Sequence, residues 1–315
     1  MSRFYTALAA TALSILPLSA AELDTDSIPA DSRFVLHLDV ERFQKGQVGT
    51  ALLEIIGRDA AATQRLDALK TLSGIDLRSD IKGITLFSKA SGPGEGTLMI
   101  HGRIERDKLL ALAKLAEDYS SVAHEGVALH SWTPEKGRGQ RLAWMAFPRP
   151  DLMLLSDSKS SLATVIDTAA GRAPRLKAGE GLAALLPKSR TLVAAASGVD
   201  SLPAGRPVSP LLRQVKDFSL SMGEVDGKID MQLDLHAIND ASAQQLKTML
   251  DGFIAMAKMQ ADPEGLKMLD GLVLKQDGCS LTSSFGIDAK QVAEQMRSKV
   301  DREQAARAAQ APSSK

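Results

Sequence analysis

The sequence predicts an α+β fold in which two divergent repeats each form an antiparallel sheet with helices packed on one face. Several segments alternate strictly between apolar and polar residues, which is typical of strands with one solvated face. Asp-Gly pairs stand between such segments and favour tight hairpins. Segments with apolar residues at helical spacing follow the hairpins, and they predict helices that cover the apolar side of each sheet.

The clearest alternation is KIDMQLDLHA, residues 228–237, in which every second residue from Ile229 to Leu235 is apolar. The pair Asp226-Gly227 precedes it, and Asp277-Gly278 separates two later strands. Looser turns are predicted at 91–96 and 134–139, each between two alternating segments. Four hairpins are therefore expected.

Helices are predicted between these hairpins. The segment 240–259 begins with the capping candidates Asn239 and Asp240 and places apolar residues on one stripe. The other predicted helices span residues 106–118, 156–171 and 288–300, and a further helical region surrounds Gly49. These helices complete a strand and helix order that recurs along the chain.

The two halves of the chain show the same order of predicted elements. IPADSRFVLHLDV at 28–40 has an echo in LLPKSRTLVAAAS at 185–197. We expect a first unit over 26–175, which carries the extra strand DLMLLS, and a second over 176–300. The tail 301–315 is expected to be flexible, or to prolong the last helix before it frays. Whether the halves form separate sheets or one continuous sheet stays open.

The amino terminus predicts export. Arg3 precedes an apolar stretch that ends in Ser19-Ala20-Ala21, which is typical of a secretory signal peptide over residues 1–21. The stretch is shorter and less apolar than a membrane span requires. We expect a periplasmic or secreted protein with no stable membrane span after signal cleavage.

Composition excludes several classes of protein. The only cysteine is Cys279, so no disulfide within the chain is possible. Basic and acidic residues both number 38, which disfavours nucleic acid as a partner. No G-x-S-x-G, HExxH or CxxC motif is present, so the sequence predicts no cofactor, no catalytic residue and no enzyme class.

The most site-like surface is the segment around the predicted turn at 134–139. Its basic residues and flanking tryptophans are suited to binding an anionic envelope component. The commoner explanation of such a segment is that the charged side chains are simply solvated at the tip of a hairpin. The candidate ligand-binding residues are Trp132, Lys136, Arg138, Arg141 and Trp144.

Two metal candidates carry less weight. His37 and Asp39 lie two apart on one strand face, but a zinc site needs three or four ligands. Met256 and Met259 form an M-x-x-M pair whose thioethers suit Cu(I). Met249 and Met256 lie seven apart on a stripe that also holds Leu250 and Phe253, so core filling is the favoured interpretation of the methionines. A loosely closed helix would instead line a groove for an apolar ligand.

The opening PADSRFVLHLDVERF, with GTALL after it, resembles uncharacterised secreted bacterial proteins that share a domain of unknown function. The matching positions are Pro29, Ala30, Asp31, Asp39, Gly49, Leu52 and Leu53. The resemblance implies export and two divergent α+β repeats, and it carries over no catalytic residue.

These observations together predict a non-catalytic exported protein that acts by binding an unknown envelope protein or ligand. A carrier or sensor of an apolar ligand such as a lipid is the alternative, and an enzyme of unidentified class is the third.

Overall fold

The computed structural model describes residues 22–89, 96–134, 142–201, 212–261 and 263–310. Its strands are β1 Phe34–Asp39, β2 Ile81–Ser88, β3 Gly96–Gly102, β4 Ser120–His124, β5 Val127–Trp132, β6 Ala143–Arg149, β7 Leu152–Ser156, β8 Leu192–Ser197, β9 Val215–Val225, β10 Lys228–Ala237, β11 Val273–Asp277 and β12 Ser280–Asp288. Its α-helices are α1 Val40–Lys45, α2 Gln47–Arg58, α3 Ala60–Ser73, α4 Arg106–Ala113, α5 Lys159–Ala169, α6 Gly181–Ala184, α7 Asp240–Gln260, α8 Pro263–Asp270 and α9 Ala289–Gln310.

All the strands named above belong to one antiparallel sheet, which confirms the α+β class. The order is β11-β12-β10-β9-β8-β1-β2-β3-β7-β6-β5-β4. The halves of the chain therefore share one continuous sheet, and they meet where β1 pairs with β8, with Leu36 opposite Ala194. This pairing answers the question that the sequence left open.

The strand orders of the two halves correspond. From the junction outward the first half runs β1-β2-β3-β7 and the second runs β8-β9-β10-β12. The first half adds β4, β5 and β6 beyond β7, whereas the second adds only β11. β4 was absent from the sequence prediction. The duplication of one unit itself stays a prediction.

The predicted hairpins are largely confirmed. β9 and β10 join at Asp226-Gly227, where both residues have positive φ, whereas β11 and β12 join at Gly278-Cys279, one residue later than predicted, because Asp277 still pairs with Ser280. β2 pairs with β3 and β5 with β6, but residues 90–95 and 135–141 between them lie outside the described chain. Asn239 caps α7 as expected, because its side chain accepts the Ser242 N–H at 2.8 Å.

Helices lie on both faces of the sheet in the first half, which differs from the one-face arrangement that the sequence predicts. Met153 and Leu154 are neighbours on β7, so their side chains point to opposite faces. Leu154 packs with Leu162 of α5, whereas Met153 packs with Leu110 of α4. We call the α5 side the front face and the α4 side the back face.

The second half is covered on the back face by α7. Leu246 of this helix is buried against Leu281 and Ala196 of the sheet, and Leu235 packs against the same cluster. The apolar residues of β10 thus point to the back, and its polar residues point to the front, as the alternation predicts.

Helices α2 and α9, from opposite halves of the chain, pack against each other. Arg297 donates to Glu54 at 2.8 Å, and Arg58 lies 3.6 Å from Asp301. α9 extends to Gln310, ten residues beyond the predicted end of the last helix at 300, so the expected tail begins as helix. In the described part of the chain, no helix has the length and apolarity that a membrane crossing needs.

One buried histidine on β3 gives the fold a pH dependence. His101 is 3% exposed, and neither ring nitrogen has a hydrogen-bond partner in the described structure. Burial, with a smaller contribution from the charge of Arg149, lowers the pKa of His101. The unfolded chain therefore binds the proton better, and stability falls as the pH drops below about 6.5.

We expect His101→Leu to reduce this pH dependence. The free energy of unfolding of the variant should change less between about pH 7 and about pH 5 than that of the parent, because leucine has no proton to gain. Chemical denaturation at the two pH values measures the difference. An unchanged pH dependence would show that His101 does not set it.

Candidate binding groove

Two cavities lie on the front face beside the junction of β1 and β8. The first holds about 450 Å³ and the second about 370 Å³. Both are lined by Ala184, Leu186 and Pro187, so both border the segment 178–190, which includes α6. We call the pair the junction groove. A groove of this size is in the range of small-molecule sites.

The segment 178–190 is held in place by packing and by the chain before it. Leu182 of α6 is 3% exposed and belongs to the front-face core. Upstream, the Leu176 N–H donates to the Ile28 carbonyl at 2.9 Å, and the Ala30 N–H donates to the Pro174 carbonyl at 3.0 Å. The linker between the halves is thus fixed to the N-terminal segment, and it walls the groove.

Three of the polar side chains that line the first cavity are engaged in structural contacts. His37 Nδ1 lies 2.9 Å from Thr85 Oγ1. Asp39 accepts the Arg42 N–H at 2.8 Å and so caps α1. Arg190 Nη1 lies 2.6 Å from a carboxylate oxygen of Asp230. These contacts hold three of the side chains that line the cavity in place.

Ser189 at the rim has an unusual backbone. Its φ is 57°, in the left-handed region that non-glycine residues rarely adopt. Glu125 and Asp226 also have positive φ, but each is followed by a glycine in a two-residue hairpin turn. Ser189 has no such turn to explain it. Backbone strain of this kind is commonly found at binding sites.

We expect Ser189→Gly to stabilise the protein by about 1 kcal/mol, because glycine adopts positive φ without the steric penalty. Ser197→Gly, at an ordinary strand position, serves as the control and should destabilise the protein. Thermal and denaturant unfolding measure both. Destabilisation by Ser189→Gly would show that the serine side chain, rather than strain, dominates at this position.

The structure does not bring the two predicted binding tryptophans together. Trp132 packs in the back-face cluster with α4, whereas Trp144 packs against the front-face core, with Lys159 Nζ 6.0 Å from its ring. The two tryptophans therefore lie on opposite faces of the sheet, because they stand in different registers on β5 and β6. Lys136, Arg138 and Arg141 lie outside the described residues.

The methionine candidates are exposed, so core filling was the wrong interpretation for them. Met256 is 49% exposed and Met259 is 87% exposed, whereas Met249 on the same helix packs against the core. The apolar stripe of α7 contacts the sheet only through its first half, and the second half leaves Phe253 53% exposed. In the described part of the chain, no group of three His, Cys, Asp or Glu side chains is placed to hold a metal ion.

The sequence prediction missed the junction groove. Its walls come from the N-terminal segment, β1 and the linker, and its floor includes serines and threonines that a sequence presents as ordinary solvated strand positions. The echoing segments 28–40 and 185–197 contain β1 and β8, which pair at the junction, but the echo was interpreted only as a sign of a repeat.

No protein-family model and no curated protein matches this chain. Solved structures of similar shape include crystal form III of TP0453, with a TM-score of 0.48 and 11% identity over 86% of this chain and 97% of that one. Crystal forms I and IV of TP0453 give TM-scores of 0.45 and 0.41, each at 10% identity, and cover 88% of this chain and 98% and 97% of theirs. These scores are too low to support any conclusion about function.

Proposed function

We propose that this protein is an exported, non-catalytic binding protein whose ligand lies in the junction groove. The observation that carries the proposal is the groove itself, which combines a volume suited to a small ligand with apolar walls and a polar floor. Export is supported by the signal-peptide pattern of residues 1–21.

A binding role is favoured over catalysis by the state of the polar side chains. A general base must be within reach of the proton that it abstracts. His37 contacts Thr85, Asp39 caps a helix and Arg190 pairs with Asp230. Each of these groups already has a structural role, and such contacts suit a rigid, preformed recognition site.

A second candidate is a carrier or sensor of an apolar ligand. It is favoured by the outer half of α7, where Phe253 and Met256 are both about half exposed on one stripe. This surface is separate from the junction groove, so the two candidates predict different binding sites.

Native mass spectrometry of the protein purified from its own envelope fraction tests the proposal. We expect a bound molecule on the parent protein and its loss in Ala184→Trp, because the new indole would fill the groove that Ala184 lines. Ala61→Trp, at an exposed position of α3, is the matched control. Retention of the molecule by Ala184→Trp and its loss in Phe253→Ser would favour the apolar carrier.

A further inference from the structure

The front face of the second half carries a regular array of polar side chains. Strand pairing places three rows of three across β9, β10 and β12, and we call them the polar grid. The rows are Asp217-His236-Ser280, Ser219-Asp234-Thr282 and Ser221-Gln232-Ser284. Neighbours in a row are about 4.8 Å apart, and successive rows are about 7 Å apart. Most of the grid lines the second cavity of the junction groove.

Seven of the nine grid residues are Ser, Thr or Asp, which have short side chains, and several have unused hydrogen-bonding groups. None of the nine is Lys, Arg or Glu, so a flat ligand can approach the sheet closely. The hydroxyls of Ser219, Ser221 and Thr282 make no hydrogen bond to any described residue. By contrast, Ser280 Oγ lies 3.0 Å from His236 Nδ1, and Gln232 donates to Asp234 at 3.1 Å. The grid thus offers both donors and acceptors.

The charge of the grid selects against anions. Asp217 and Asp234 are its acidic members, and it contains no Lys or Arg. The adjacent edge strand adds Lys275 and Asp277, whose charges cancel. A phosphate or carboxylate on a ligand would therefore meet like charge at the grid, whereas Lys188 and Arg190 line only the other cavity of the groove.

The opposite wall of the cavity is aliphatic. Leu185, Leu186 and Pro187 line the same cavity as the grid. A sugar ring carries hydroxyls around its rim and C–H groups on its faces. The grid matches the rim, because hydroxyl and amide groups can both donate and accept. The aliphatic wall matches the C–H face, from which it excludes water.

We propose that the ligand of the junction groove is a neutral glycan chain lying along the polar grid. This inference rests on the proposed function and specifies its ligand class. The sparse aromatic content of the chain does not oppose it, because the wall that covers the sugar rings is aliphatic and the recognition comes from hydroxyls on the sheet.

Isothermal titration with neutral hexasaccharides tests the inference, using chitohexaose, cellohexaose and maltohexaose, with hexagalacturonate as the anionic counterpart. We expect at least one neutral chain to bind and hexagalacturonate to bind more than about tenfold more weakly. The double variant Ser219→Ala/Thr282→Val should weaken binding about tenfold, since it removes two hydroxyl partners. Thr248→Val, at an exposed position of α7, is the control and should leave the affinity unchanged.

Failure to bind any of the neutral chains, or equal weakening by the control variant, would overturn the glycan inference. If native mass spectrometry still shows a molecule that Ala184→Trp displaces, the proposed binding function stands and only the ligand class is wrong. If that experiment shows no molecule in the groove and no sugar binds, both proposals fail.

Discussion

Replacement of Gly49 by alanine is expected to destabilise the protein by about 3 kcal/mol. Gly49 lies near the start of α2, where the chain turns sharply out of α1. A Cβ built at Gly49 would overlap the Phe43 carbonyl oxygen and lie 2.6 Å from the Phe43 carbonyl carbon and 2.9 Å from Gln44 Cα. These are backbone atoms, so the clash is relieved only if the two helices move apart. Denaturant unfolding measures the loss.

The same helix supplies a matched control. A Cβ at Gly57 meets no atom within 4 Å, so Gly57→Ala adds helix propensity without a clash. It should stabilise the protein by up to about 1 kcal/mol. If both substitutions had the same sign, the close approach of α1 and α2 at Gly49 would be contradicted.

Replacement of Asp76 by asparagine is expected to destabilise the protein by about 2 kcal/mol. Asp76 follows α3, and its side chain is only 10% exposed. One carboxylate oxygen accepts Arg78 Nε at 2.8 Å and the Arg78 N–H at 3.0 Å, and the other accepts Lys70 Nζ at 3.2 Å. Asparagine keeps an acceptor but loses the charge that pairs with both cations. Unfolding at neutral pH measures the loss.

The pH dependence of this effect has a definite sign. Hydrogen bonds from Arg78 hold the pKa of Asp76 well below its usual range. The stabilisation by the Asp76 carboxylate is therefore complete above about pH 4 and declines as the pH falls further. The stability of Asp76→Asn should depend less on pH below about pH 4 than that of the parent protein. The control is Glu294→Gln in the exposed pair with Lys290, which should change stability by less than about 0.5 kcal/mol. A larger effect from Glu294→Gln than from Asp76→Asn would contradict the assignment.

The second half of the fold was predictable because the sequence pattern of its strands is consistent with a single covered face. β10 alternates strictly, with half-buried apolar side chains on one face and polar side chains on the other, and Asp226-Gly227 adopts the positive φ values that its composition favours. Local chemistry and tertiary structure agree there, so alternation alone located strand, turn and exposed face.

The first half was harder because β7 is buried on both faces. The run Leu152 to Leu155 is continuously apolar, which is the signature of a strand covered on both sides. That signal was visible in the sequence, but neighbouring strands that alternate suggested a single covered face. The position of α4 opposite α5 followed only from the structure.

The groove depends on contacts that no local pattern specifies. His37 lines the first cavity, Thr282 lines the second and Leu186 lines both, and these distant parts of the chain share one groove only because β1 pairs with β8. Sequence periodicity indicates which side of a strand is polar, but it does not indicate which strand lies beside it. The sequence of a strand therefore does not distinguish a polar face that is exposed to solvent from one that forms the floor of a binding groove.

A crystal structure of the protein purified with its natural ligand from the envelope fraction tests the central claim most directly. We expect electron density for a ligand between Leu186 and the polar grid, in hydrogen-bond contact with Ser219 or Thr282. Density over Phe253 and Met256, with the groove holding only water, would contradict the account.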